Sequence, residues 1–79
     1  MEIRVRYFAA FREATGIESE AIETEAETIA ALFRECQARY SALEKFPASL
    51  AAVNDEMCDW DAAISAHDEV LFFPPVAGG

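Results

Sequence analysis

Glu69-Val70-Leu71-Phe72-Phe73, the run EVLFF near the end of the chain, decides the fold. Four successive apolar residues, Val70 to Phe73, between Glu69 and Pro74 read as a strand, and such unbroken runs predict burial on both faces. Its counterpart stands at the other end. In EIRVRYF (Glu2–Phe8), Ile3, Val5 and Tyr7 alternate with Glu2, Arg4 and Arg6, the period of a half-buried strand. If these two strands pair in parallel, the chain between them supplies the long crossover that parallel pairing needs.

That crossover holds one strong helix. Ile29, Leu32, Phe33, Cys36 and Tyr40 fall at i, i+3, i+4, i+7 and i+11, one face of a helix. Thr28 stands directly before the stripe and is the preferred N-cap, with Thr24 and Glu27 as an alternative capping box. Glu23, Glu25 and Glu27 then lie close to the positive end of the helix dipole. Before it, Ala9–Ala14 fit a short helix closed by Gly16 and leaning on the core through Phe8 or Phe11. Ile17–Glu23 read as an acidic edge strand, because charge on an edge discourages pairing with other chains. After it come a connector pegged by Leu43 and Phe46, a strand over Leu50–Asn54, a turn at Asn54-Asp55 and a short return strand at Met57-Cys58. The loop that follows is pinned by Trp60 and Ile64. The expected architecture is α+β: a mixed sheet of four to five strands on one main helix, in a domain over residues 1–73, with an extended tail over 74–79.

Composition narrows the function. One domain is all that 79 residues build. Fifteen acids against six bases give a net charge of −9, which argues against nucleic acid and favours approach to a basic protein surface. No apolar run reaches the roughly 20 residues of a bilayer span, nothing before Ile3 resembles a leader, and two cysteines without metal-type spacing suggest reduced thiols and no zinc. A cytoplasmic protein with no membrane partner and no bound metal is expected. Cys36 reads as core and Cys58 as a thiol without basic neighbours. His67 reads as a turn residue. Asp55, Glu56, Asp59 and Asp61 lack the glycine and terminal glutamate of a calcium loop.

The chemistry points to the tail, Pro74-Pro75-Val76-Ala77-Gly78-Gly79. Two prolines end the strand and launch the chain outward, and six extended residues reach about 20 Å. Terminal glycines let a partner approach the last carbonyl from any side. A carboxylate is ionised at neutral pH and must be activated before it reacts. The chain lacks a phosphate-cradling glycine loop, so activation falls to a partner that uses ATP.

VLFFPPVAGG (Val70–Gly79), LAAVN (Leu50–Asn54) and FAAFREATG (Phe8–Gly16) resemble the small-subunit family of molybdopterin synthase, and the resemblance spans essentially the whole chain. It implies a ubiquitin-like β-grasp fold. It also implies that an E1-like enzyme adenylates Gly79, that a sulfur source converts it to a thiocarboxylate, and that the sulfur passes to a pyranopterin precursor inside a large subunit. Two small subunits would flank a dimer of large subunits, with no cofactor bound by the small subunit itself. Phe73, Pro74, Pro75, Val76, Ala77 and Gly78 would contact the partner. Phe72 and Phe73 point opposite ways, so one enters the core and the other meets the large subunit. The family's usual turn glycine is replaced by His67, which puts that turn's stability in question. The same end group would serve a sulfur carrier for thiamine or tRNA thiolation, or a ubiquitin-like modifier. An interaction module with an idle tail is the remaining alternative.

Overall fold

The computed structural model describes residues 1–46 and 49–74. The elements are β1 (Glu2–Tyr7), α1 (Ala10–Thr15), β2 (Ser19–Glu23), α2 (Ile29–Arg39), a 3-10 turn (Ser41–Lys45), β3 (Leu50–Val53), β4 (Glu56–Cys58) and β5 (Glu69–Phe73). The five strands form one sheet in the order β2-β1-β5-β3-β4. The first and last strands pair in parallel at its centre, Val5 beside Val70 and Tyr7 beside Phe72. The remaining pairs are antiparallel, and β2 and β4 form the edges. This is the β-grasp arrangement that the resemblance implied.

One sheet face carries the core. Ile3, Val5, Tyr7, Ile22, Ala51, Val70 and Phe72 are buried there with Ile29, Leu32, Phe33 and Cys36 of α2. Phe33 packs its ring 4.7 Å from Phe72 and 5.2 Å from Trp60, so the loop tryptophan closes one side of the helix. Phe11 and Phe46 meet edge-to-face at 4.5 Å, which places α1 and the connector over the same core. The run EVLFF departs from expectation. Val70 and Phe72 are buried, whereas Glu69, Leu71 and Phe73 are only half-buried. The helix layer covers one face of β5, and among the described residues no second layer covers the other.

Local chemistry explains the element ends. The helix α2 starts where its donors find acceptors. Thr28 Oγ1 accepts from Ala31 N–H at 3.2 Å, while Ile29 and Ala30 N–H donate to the carbonyls of Ala62 and Trp60 at 3.0 and 2.8 Å. Thr24 does not form a box with Glu27. Its hydroxyl accepts from Ala26 N–H and donates to the Glu35 carboxylate. Gly16, at φ 79°, ends α1 and donates its N–H to the Arg12 carbonyl. Asn54 and Asp55 both have positive φ, the requirement of a two-residue hairpin between twisted strands.

His67 sits at φ 70°, so this turn does demand left-handed backbone, and a histidine accepts it at some strain. Hydrogen bonds hold it there. His67 N–H donates to the Glu2 carbonyl at 2.7 Å, Asp68 accepts from Ser65 N–H and Asn54 Nδ2, and Asn54 Oδ1 accepts from Glu69 N–H. The β3–β4 hairpin and the entry to β5 are thereby tied into one unit.

Candidate functional site

The strand β5 ends at Phe73, and Phe73 and Pro74 are both half-buried where the chain leaves the sheet. Of the residues expected to contact a partner or react, these two are described. Pro75, Val76, Ala77, Gly78 and the expected reactive residue Gly79 lie outside the described residues.

The surface around that exit is built by strand alternation. Phe72 points into the core, so Phe73 points to the opposite, outer face, as does Leu71. Register then aligns their neighbours. Leu71 lies opposite Ala52, Ala52 opposite Met57, and Phe73 opposite Leu50. Met57 is 62% exposed. Phe8 joins this side at the end of β1, 58% exposed, with its N–H donated to the Phe72 carbonyl at 3.1 Å. Exposed and half-exposed apolar side chains therefore gather where the last strand leaves the sheet.

A tight turn keeps Phe8 outside and Phe11 inside. Phe11 N–H donates to the Phe8 carbonyl at 3.0 Å across Ala9, whose φ of 52° and ψ of −126° suit glycine better than alanine. Ala9 therefore belongs to a turn rather than to the helix expected from its sequence. Of the two candidate anchors, Phe11 enters the core and Phe8 faces solvent.

The folded body offers little nucleophilic chemistry of its own. Burial pushes the Cys36 thiol up to about 11, far from the thiolate form at neutral pH. The Cys58 thiol is also raised, by burial and then by Asp59. Tyr7 is raised by burial above all, and its hydroxyl donates to Glu20 at 2.8 Å. His67 is exposed on its turn. Among the described residues no three His, Cys, Asp or Glu side chains converge as a metal set, and no helix is long and apolar enough to cross a membrane.

Phe8, Leu71 and Met57 were not singled out as partner residues by sequence. A signal existed for Leu71, since any strand covered on one side only must expose alternate members of an apolar run. None existed for Met57, whose place depends on the pairing of β4 with β3.

Kinship with known proteins spans nearly the whole chain. Residues 5–79 match the ThiS family. The molybdopterin synthase sulfur carrier subunit of Escherichia coli is 35% identical over 80 residues, covering 98% of this chain and 99% of that protein. SAMP1 from Haloferax volcanii superposes with a TM-score of 0.85 over the full length of both chains, and at 22% identity that likeness speaks for the fold alone. The complex of subunits 1 and 2 of the molybdopterin-converting factor from Helicobacter pylori contains a chain that is 25% identical, with a TM-score of 0.69 and full coverage of both. The match in fold, order and length is therefore one of kinship: the chain belongs to the ThiS family, among whose relatives are the sulfur carrier subunits of molybdopterin synthase.

Proposed function

We propose that this chain carries sulfur for molybdenum cofactor biosynthesis, as the small subunit of a molybdopterin synthase. The observation that carries this reading is the end-to-end identity of 35% with a bacterial sulfur carrier subunit of that enzyme. The outer sheet face supports it, because it sets an exposed apolar surface at the root of the tail. Phe8, Leu71, Met57 and Phe73 dock on the large subunit, and Pro74 to Gly78 run from that contact into its active site.

The chemistry follows from the end group. The Gly79 carboxylate is a poor electrophile, so an E1-like enzyme first joins it to AMP from ATP, releasing pyrophosphate. A sulfide-level sulfur donor displaces AMP and leaves a thiocarboxylate. The sulfur attacks an electrophilic carbon of the pyranopterin precursor and displaces an oxygen leaving group from it, giving a thioester that water cleaves. Sulfur stays on the pterin, and the carboxylate returns for recharging. The chain alone is not an enzyme; it supplies sulfur within a sulfurtransferase. ATP is used by the activating partner, and no cofactor resides on the small subunit. The location of such a pathway is the cytoplasm.

Intact-chain mass spectrometry from a host able to transfer sulfur tests the reading. The expected result is replacement of one terminal oxygen by sulfur, lost after incubation with the large subunit and precursor. Deletion of Gly79 abolishes it. Adducts on protein lysines in place of the thio-acid identify a modifier instead. Retained synthase activity after Gly79 deletion overturns the reading.

A further inference from the structure

The docking face has a charged border that the family relationship leaves open. The chain has six bases against fifteen acids, yet two of the six, Arg4 and Arg6, stand on the outer face of the single strand β1. Register places Arg6 directly beside Leu71 and Arg4 beside Glu69. On their other flank, Arg6 faces Ser19 and Arg4 faces Ala21, neither of them acidic. Arg6 reaches Glu69 at 3.5 Å, with both side chains about two-fifths exposed at 43% and 40%. Arg4 is exposed and, among the described residues, has no carboxylate within ion-pair distance. Protein interfaces commonly set a polar rim around an apolar centre and favour arginine, whose planar fork matches a carboxylate.

We propose that Arg4 and Arg6 are the cationic rim of the docking face and select a large subunit whose matching rim carries carboxylates. The inference rests on the reading of that face given above. The net charge of −9 does not oppose it. Separated exposed charges are screened beyond about 8 Å at physiological salt, so the groups that meet at contact decide the fit. Long-range charge steers approach, whereas rim pairs fix register and reject wrong partners. The exposed Arg6–Glu69 pair is weak enough to exchange for a partner's carboxylate.

The test measures binding to the molybdopterin synthase large subunit of the same organism, by calorimetry at low and high salt. Arg4→Glu is compared with Arg34→Glu, which makes the same charge change on the exposed side of α2, across the core from the docking face. Arg4→Glu is expected to weaken binding about tenfold more than Arg34→Glu at low salt, with the gap closing at high salt. Arg4→Gln, which adds no like charge beside Glu69, shifts the same way by less, and Arg4→Lys restores most of the affinity. Circular dichroism confirms folding of each variant. Met57→Asp separates the two levels. If it abolishes binding while Arg4→Glu and Arg34→Glu behave alike, the face stands and the arginine rim is overturned. If Met57→Asp binds as the native chain does, the docking face itself falls, and the rim with it.

Discussion

The two faces of β5 come from one run of residues and end in opposite roles. Val70 and Phe72 are fully buried against α2, while Leu71 and Phe73, chemically their equals, stay half-exposed on the other side. Apolar character therefore does not mark the core in this domain. What separates the faces is that the described residues place one helix layer over the first and none over the second. The uncovered apolar face can then be kept for a partner, at the place where the tail departs.

The sharpest break of this comparison is a pair of substitutions at neighbouring positions. Phe72→Ala removes a ring packed on Phe33 and is expected to cost about 3–5 kcal/mol, most of the stability of so small a domain. Phe73→Ala is expected to change stability by less than about 1 kcal/mol and to weaken large-subunit binding by tenfold or more. Thermal melts with binding measurements check both. Equal losses of stability at the two positions would end the distinction between inner and outer face.

A smaller effect sharpens the inner side. Tyr7 is 2% exposed, and its hydroxyl is satisfied by Glu20, which also accepts from Arg39 Nη2 at 2.9 Å. This joins β1, the edge strand β2 and the last turn of α2. Glu20→Ala leaves a buried hydroxyl without its partner and is expected to cost about 1–3 kcal/mol, with Glu20→Gln recovering part of it. Denaturant titration reads the difference. Unchanged stability in the alanine variant would show that the core-side polar group needs no such partner.

The smallest expected effect lies where the chain crosses from outer to inner face. Ala9→Gly relieves the strain at φ 52° and adds freedom to the unfolded chain, for a net gain of about 1 kcal/mol and a melting temperature about 4–8 °C higher. Phe8 keeps its outward place, so binding is retained. A lower melting temperature would mean that Ala9 is not strained in the folded protein.

Much of this was legible in the residues. Period-two alternation marked β1, and the stripe from Ile29 to Cys36 marked α2, because both patterns arise from backbone geometry and single-face burial. Thr28, Gly16 and Asn54-Asp55 announced their caps and turn through local chemistry that needs no distant partner. Ala9 gave no such warning, since alanine is a good helix former and only the turn from Phe8 to Phe11 forces its backbone. The extra role of Asn54 and Asp68, which clamp the hairpin to β5, was equally silent: each hydrogen bond joins residues brought together only when β3 meets β5.

The sequence by itself determined the class of structure, the main helix and its cap, the first and last strands, and the tail that suggests the chemistry. These rest on short-range preferences and on the period of apolar residues along one segment. Only the tertiary structure decided that Phe11 goes in and Phe8 stays out, that Leu71 and Phe73 face away from the helix, and that Met57 and the two arginines share that face with them. A side chain's face is fixed by alternation, but its neighbours across a sheet are fixed by register, and register is a property of strands that have already met.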